Sequence, residues 1–315
     1  MRLATIKIDK FETGGIVLDT GILPVGKLNQ AIGTVWEESV SSLIKTGKIR
    51  ELTEWYKSEG KESCLKVPGV VPFSDVIYAP LYRDPGHIFG IGLNYADHAG
   101  DIGETAPEVL PGSFFKSPDI MIGYGDEVHL PLLKEAVRTT AEAELGIIIG
   151  KECRDVDEEN WMDVVAGFTT ILDMTEESML KGNEFVKGNP RYLTISKNFP
   201  TFFSFGPQLV TPDEIADVYK LEVQSVLNGE VYARNVVANM NHTPPRLVSL
   251  HSRIQGWYPG DVLSTGTPRA FTVNDGDVAE CRILGPDGFS MEPLINPVKD
   301  LKKQRGIMIQ GVKNE

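Results

Sequence analysis

The chain has 315 residues, of which 41% are hydrophobic and 24% charged, as in a soluble globular protein with one large domain or one large and one small. Its formal net charge of −13 argues against a nucleic-acid or anionic-membrane partner, because both bind basic patches. No apolar run reaches the ~18 residues that span a bilayer, and the N-terminus lacks the apolar core of a signal peptide. With three widely spaced cysteines, we expect a cytoplasmic protein with reduced thiols.

The first 80 residues predict a small α+β domain. Alternating and helical apolar patterns predict strands over residues 4–8 and 15–19 and helices over residues 27–32, 35–45 and 49–59. Residues 78–86 contain two prolines and a glycine, which is typical of a linker. We therefore predict a domain boundary near residue 80.

Residues 81–300 predict a larger, β-rich domain, and residues 301–315 a polar tail. The predicted strands cover residues 88–91, 120–122, 145–149, 165–172, 221–227, 262–264 and 278–283. Fewer helices are predicted, over residues 95–100, 159–163, 175–182 and 245–255. Many short strands with few helices favour an α+β fold built on a barrel or roll over a doubly wound sheet.

Two carboxylates at a spacing of two residues, Glu142 and Glu144, precede the apolar run 145–149. Side chains alternate along a strand, so both carboxylates point to the same face. Two acids at the mouth of a buried strand repel each other unless a positive group lies between them, and a hard divalent cation is suited to that position. The alternative is a solvated strand end with two surface glutamates.

Asp173 closes a second apolar run, residues 167–172, and a carboxylate at the end of a buried strand needs a partner. Together with Glu142 and Glu144 it predicts an all-oxygen site that suits Mg²⁺ or Mn²⁺, with Ca²⁺ as a substitute in a crystal, and that lacks the soft ligands favoured by zinc. Taken alone, Asp173 could equally end a strand or cap a helix.

His98 and Asp101 stand three residues apart in a predicted helical turn after the strand 88–91. At this spacing the carboxylate can orient the imidazole and support it as a general base. A surface pair without catalytic function is the alternative.

Seven ordered blocks make the chain similar to the fumarylacetoacetate hydrolase superfamily over roughly residues 87–298. The blocks are GLNYADH at 92–98, FKSP at 115–118, EAEL at 142–145, AGF to Asp173 at 166–173, SKNF with FGP at 196–199 and 205–207, NGE at 228–230, and PGDVLSTGTP at 259–268. The resemblance implies a mixed β-roll catalytic domain with a small, variable N-terminal domain, often assembled as a homodimer.

The resemblance also implies roles for particular residues. Glu142, Glu144 and Asp173 would hold Mg²⁺ or Mn²⁺, and His98 with Asp101 would activate water from a lid. Lys197 and Lys116 would bind the substrate carboxylate and stabilise developing charge, and Thr267 would contact the substrate carboxylate. The implied substrates are small anionic 2-oxo acids.

A 2-oxo acid on a Lewis-acidic metal can form an enolate, which opens several reactions. The leading hypothesis is hydrolysis of a carbon–carbon bond in an acylpyruvate-like 2-oxo or 2,4-dioxo acid. The alternatives are a hydratase or isomerase of 2-oxo-ene-dioates, an oxaloacetate decarboxylase or tautomerase, and a metal-binding regulatory protein without catalysis.

Four positions depart from the family's usual pattern. Asp101 replaces a glutamate, Glu177 stands where many members have a substrate-binding arginine, Ala233 replaces a glutamine, and Arg269 replaces a glycine-containing turn. These changes cluster around the distal part of the substrate, so we expect an altered distal specificity. Arg191 is a candidate to supply the missing positive charge, with a solvated loop arginine as the alternative.

Overall fold

The structure is a computed structural model that describes residues 1–96, 100, 105–180 and 193–302. Strands dominate the described residues. They are β1 (Arg2–Ile8), β2 (Phe11–Leu18), β3 (Gly21–Pro24), β4 (Val71–Pro72), β5 (Ile88–Gly92), β6 (Gly112–Lys116), β7 (Met121–Ile122), β8 (Val128–Leu130), β9 (Thr139–Ile149), β10 (Val165–Glu176), β11 (Phe203–Val210), β12 (Glu222–Leu227), β13 (Glu230–Val236), β14 (Val262–Ser264), β15 (Phe271–Thr272), β16 (Val278–Leu284) and β17 (Leu294–Asp300).

Helices are shorter and lie mainly near the N-terminus. They are α1 (Val25–Ile32), α2 (Val40–Lys45), α3 (Lys48–Trp55), α4 (Lys61–Cys64), α5 (Leu193–Ser196) and α6 (Pro244–Ile254), with a π-helical turn, Tyr56–Gly60, joining α3 to α4. The helix predicted over residues 35–45 begins only at Val40, because the Ser39 side chain caps it by accepting from the backbone N–H of Ser42 at 3.0 Å.

The helix predicted over residues 175–182 is wrong at its start. Thr175 and Glu176 belong to β10, where they pair with Thr140 and Thr139 of β9, and a 3₁₀ turn, Glu177–Met179, follows. The sequence pattern at Thr175 and Glu176 is typical of a helix N-terminus, but backbone hydrogen bonds to β9 extend the strand β10 through both residues. The buried carboxylate of Glu176 also accepts from the hydroxyl of Thr139 at 2.7 Å.

A large mixed sheet forms the body of the molecule. Its strands follow the order β4-β3-β2-β1-β11-β10-β9-β14-β5-β6, with β15 beside β9 and β7 beside β11. Most neighbours are antiparallel, while β14 runs parallel to β5 and β7 runs parallel to β11. The long central strands β9 and β10 are buried along their whole length, so side chains on both of their faces are sheltered from water.

A second sheet, in the order β13-β12-β16-β17-β8, packs on the centre of the first. Its strands β12 and β16 contact β9, and β17 contacts β11. Two packed mixed sheets with few helices confirm the predicted β-rich α+β fold.

The N-terminal strands continue the large sheet without interruption. β1 pairs with β11 through Leu3 and Leu209, and the hydroxyl of Thr5 donates to the carbonyl of Leu81 at 2.6 Å. The proposed boundary near residue 80 stays a prediction. Lys302, which falls in the predicted polar tail, is buried and donates to the carbonyl of Ala136.

None of the helices in the described ranges is both long and apolar enough to cross a membrane.

Candidate metal centre and active site

Three buried carboxylates meet on one face of β9 and β10. Asp173 stands directly opposite Glu142 in the strand register, and Ile171 stands opposite Glu144. Since side chains alternate along each strand, Glu142, Glu144 and Asp173 share a face, and each offers an oxygen within 4.8 Å of the others. The structure therefore brings the three predicted carboxylates together.

The carboxylates lie inside their strands, and the prediction that they stand at strand ends is wrong. β9 begins at Thr139 and β10 continues to Glu176. As a result, Glu144 and Asp173 are both fully buried. Three acids in such a place require compensation, because an isolated ionised carboxylate is costly to remove from water.

Two lysines supply part of this compensation. The ammonium group of Lys197 lies 3.0 Å from Oε1 of Glu142 and 2.8 Å from Oδ2 of Asp173. Lys116 pairs with the other oxygen of Asp173 and donates to the carbonyl of Phe202 at 2.7 Å. Lys197 also lies over the ring of Phe114, 4.7 Å from its centroid, an additional favourable contact for a cation.

The two lysines differ electrostatically. Burial lowers the pKa of Lys116 to about 8, although the charge of Asp173 opposes that change. Burial would also lower the pKa of Lys197, but the charges of Asp173, Glu142 and Glu144 outweigh it and hold the pKa above its ordinary value. Lys197 is therefore the more firmly held positive charge.

Glu144 is the carboxylate with least compensation. Its Oε2 accepts from the hydroxyl of Ser264 at 2.5 Å and from the backbone N–H of Gly266 at 2.7 Å. Its Oε1 is buried and has no hydrogen-bond partner among the described residues. Burial, followed by the charges of Asp173 and Glu142, raises the pKa of Glu144 to about 8.

These observations fit a divalent cation. The orphaned Oε1 of Glu144 needs a positive partner, and the donor set consists of carboxylate oxygens, the ligands that Mg²⁺ and Mn²⁺ prefer. A cation at this position would replace the proton that the raised pKa retains on Glu144. Glu142, Glu144 and Asp173 are the residues that would hold it.

The other predicted site residues divide into two groups. Lys116, Lys197 and Thr267 are described, and Thr267 is buried beside Gly266, with its hydroxyl donating to the carbonyl of Arg269 at 3.2 Å. His98, Asp101 and Arg191 lie outside the described residues. Their predicted roles therefore stay predictions.

Three supporting groups were missed by the sequence analysis. The hydroxyl of Thr175 donates to Oε1 of Glu142 at 2.6 Å, while Ser264 and the backbone of Gly266 hold Glu144. Spacing offered one signal, because Thr175 is two residues after Asp173 and so shares its face. Ser264 and Gly266 come from β14 and the loop after it, and only the pairing of β14 with β9 places them at the site.

This fold and this carboxylate cluster agree with the comparisons to known proteins. Residues 87–299 match the C-terminal domain of fumarylacetoacetate hydrolase. The chain belongs to the fumarylacetoacetate hydrolase family, which confirms the resemblance drawn from the sequence and makes the chain a member of an enzyme family.

A provisionally named hydrolase of Burkholderia cenocepacia (strain HI2424) is 38% identical over 185 residues, which are 58% of this chain and 62% of that protein. The chain thus spans less than two thirds of the length of such relatives. Maleylpyruvate hydrolase from Sphingobium sp. SYK-6, solved with manganese(II) and pyruvate, is 26% identical, with a TM-score of 0.72 over 95% of this chain and 99% of that one. The 2-hydroxyhepta-2,4-diene-1,7-dioate isomerase of Mycobacterium marinum is 25% identical, with a TM-score of 0.61 over 74% of this chain and 81% of that one.

Proposed function

We propose that the protein is a divalent-metal-dependent hydrolase that cleaves a carbon–carbon bond in a small 2-oxo or 2,4-dioxo acid of the acylpyruvate type. The observation that carries this proposal is the buried cluster of Glu142, Glu144 and Asp173, whose oxygens lie within 4.8 Å of one another beside two buried lysines. The structural likeness to a maleylpyruvate hydrolase solved with manganese and pyruvate supports it.

The charge of the site favours an anionic substrate. Glu142 and Asp173 are balanced by Lys197 and Lys116, and Glu144 adds a third negative charge when it is ionised. A bound divalent cation would leave the cluster with one net positive charge, which a substrate carboxylate can neutralise. The cation, Mg²⁺ or Mn²⁺, would act as a Lewis acid towards the oxygens of a 2-oxo acid.

In the proposed reaction, water adds to the distal carbonyl carbon of the substrate, and the bond from that carbon to the 2-oxo acid fragment breaks. The electron pair of this bond passes to the fragment as an enolate, which then takes up a proton. Lys197, held positive by its carboxylate neighbours, stabilises the developing negative charge. Lys116 and Thr267 bind the substrate carboxylate.

The remaining roles belong to the segments outside the described residues. His98, oriented by Asp101, removes a proton from the attacking water, and Arg191 binds the distal part of the substrate. We also propose that the protein is a cytoplasmic homodimer without nucleic-acid or membrane partners.

An isomerase or hydratase acting on a 2-oxo-ene-dioate is the second candidate. The likeness to the Mycobacterium marinum isomerase favours it, and the same metal and lysines would serve a reaction in which only a proton moves. The same carboxylate cluster could also serve oxaloacetate decarboxylation or tautomerisation, or a metal-binding role without catalysis. These alternatives have less support than the hydrolase and the isomerase.

A substrate panel with matched variants tests the proposal. The purified protein is assayed with Mg²⁺ and with Mn²⁺ on an acylpyruvate, on oxaloacetate and on a 2-oxo-ene-dioate, alongside Glu144→Gln and Glu280→Gln. Glu280 is a suitable control, because it is also buried but pairs with Arg282 at 2.6 Å in the small sheet.

We expect metal-dependent consumption of the acylpyruvate, a loss of at least about 100-fold in Glu144→Gln, and near wild-type rates in Glu280→Gln. Turnover of the ene-dioate alone would replace hydrolysis by the isomerase reaction. Metal binding without turnover of any substrate would favour the regulatory role and contradict the proposal.

A further inference from the structure

Phe114 places its aromatic ring beside Lys197 at the carboxylate cluster. The ammonium group of Lys197 lies over this ring, 4.7 Å from its centroid, within the ~6 Å over which the negative face of a ring attracts a cation. Phe114 is 9% and Lys197 4% exposed. Such a contact is stronger where water is excluded.

The strand β6 presents the ring to the site. Phe114 precedes Lys116 by two residues, so both side chains point to the face of β6 from which Lys116 pairs with Asp173. Phe115 points to the other face and is 53% exposed. Neighbouring residues of one strand therefore give one ring at the site and one at the surface.

Gly90 leaves room for the ring at the site. It is the partner of Phe114 across the β5–β6 pair, and a Cβ there would lie 2.3 and 2.4 Å from two carbons of the ring. Gly90 does not have the positive φ that would otherwise favour glycine. The missing side chain therefore serves to seat the ring beside Lys197.

The chain that carries Lys197 is also fixed to β6. The side chain of the next residue, Asn198, accepts from the N–H of Ser117 at 2.7 Å and donates to the carbonyl of Phe115 at 3.3 Å. The backbone of Lys197 thus has a defined place relative to β6. Its long side chain still has several rotatable bonds, so the place of the ammonium group depends on what it contacts.

A bound cation would compete for the hydrogen-bond acceptors of Lys197. Among the described residues, its ammonium group donates to Glu142 and Asp173 only, and both belong to the cluster proposed to hold the metal. The ring of Phe114 offers no ligand to a metal. Its contact with the ammonium group is therefore the one that a cation would leave unshared.

We propose that Phe114 is a positioning residue of the site: the face of its ring holds the ammonium group of Lys197 where that group can stabilise charge developing on the substrate. This inference rests on the proposed function, which gives Lys197 that role. Without the contact, the ammonium group gains access to other rotamers, and a displacement of about 1 Å can cost about 100-fold in rate.

The test replaces Phe114 in the full-length protein by phenylalanines with one, two and three fluorine atoms on the ring. Fluorine withdraws electrons from the ring face and weakens its attraction for a cation, while it makes the ring more apolar. 4-Methylphenylalanine at the same position controls for size, and the same replacements of the exposed Phe115 control for position. The measurements are kcat and KM on the acylpyruvate and thermal unfolding of the metal-free protein.

We expect kcat to fall stepwise with fluorine content at position 114, by roughly 5–30-fold in total with little change in KM, as for the loss of a buried cation–π contact. The melting temperature should fall in the same order, although a more apolar ring would by itself be stabilising. 4-Methylphenylalanine should retain a higher kcat than the trifluorinated ring, and the replacements of Phe115 should keep wild-type values.

A constant kcat along the fluorinated series, or a melting temperature that rises with fluorine content, would overturn this inference and leave the proposed function intact. An equal loss of kcat with 4-methylphenylalanine would show an effect of size and overturn it as well. A wild-type protein without turnover of any substrate would contradict the proposed function, whereas a stepwise fall in melting temperature would still support the contact between Phe114 and Lys197.

Discussion

At the scale of single residues, polar side chains extend from the carboxylate cluster towards Glu177. Thr175 binds Glu142, and Thr140, across from Thr175 in the register, donates to Oε1 of Glu177 at 3.4 Å. Glu177 is half-buried, and we expect its charge to act on a substrate that reaches this end of the proposed site. A carboxylate there disfavours a second carboxylate on the substrate.

The predicted consequence is a preference for substrates with a neutral distal group. In Glu177→Gln, kcat/KM for acylpyruvates with a distal carboxylate should rise roughly fivefold relative to neutral ones, the size expected for one partly exposed charge pair. Steady-state kinetics on both substrate types measure the ratio, with the charge-conserving Glu177→Asp as the control. An unchanged ratio in Glu177→Gln would show that Glu177 does not face the substrate.

The residues of the cluster were predictable because their spacing carries geometric information. Two glutamates at a spacing of two must share a strand face, and Asp173 closes the next apolar run. The supporting contacts were not predictable, since Ser264 is 120 residues away from Glu144 in sequence and meets it only through strand pairing.

At the scale of elements, strand lengths were underestimated where the site lies. β9 was predicted over residues 145–149 but begins at Thr139. Its first residues include Thr139, Thr140, Glu142 and Glu144, so the polar part of the strand carries no hydrophobic signal. Pairing with β10 along the whole strand decides the structure there. Lys197 and Thr175 hold Glu142, and Ser264 and Gly266 hold one oxygen of Glu144, while its Oε1 has no hydrogen-bond partner among the described residues.

The pairing of β5 with β6 gives a prediction at this scale. A Cβ at Gly90 would lie 2.3 Å from the ring of Phe114, the ring that lies under Lys197. Gly90→Ala should therefore displace Phe114 and destabilise the protein by about 1–3 kcal/mol, measured by denaturant unfolding.

Gly112→Ala is the matched control in the same strand pair. Its Cβ would meet only the carbonyl oxygen of Gly92, at 3.6 Å, and the position is exposed, so a change within about 0.5 kcal/mol is expected. Equal stability of Gly90→Ala and Gly112→Ala would show that Phe114 moves aside without cost.

At the scale of the whole molecule, the N-terminal strands and the strands that carry the carboxylate cluster belong to one sheet, a closer connection than the sequence predicted. The Pro- and Gly-containing segment near residue 80 indicated a linker, yet β1 lies beside β11, which in turn pairs with β10 and Asp173. The amino group of Met1 also pairs with Asp213 and Glu214, at 3.0 and 2.9 Å. Such long-range pairing leaves no local sequence signal.

Removal of residues 1–80 should therefore prevent stable folding of the rest. The truncated chain would expose the edge of β11 and the apolar residues packed beneath β1, a combination that promotes aggregation. Calorimetry of the intact protein should show one cooperative transition. A soluble truncated protein that unfolds cooperatively and still binds Mn²⁺ would instead establish two independent domains.

The most direct test of the proposed metal centre is the metal requirement of acylpyruvate cleavage. The protein is treated with EDTA and dialysed, and its rate is recorded before and after Mn²⁺ is restored. We predict negligible cleavage without the ion and full recovery on its addition, with no recovery in Glu144→Gln. Equal rates with and without Mn²⁺ would contradict the central claim that Glu142, Glu144 and Asp173 hold a catalytic cation.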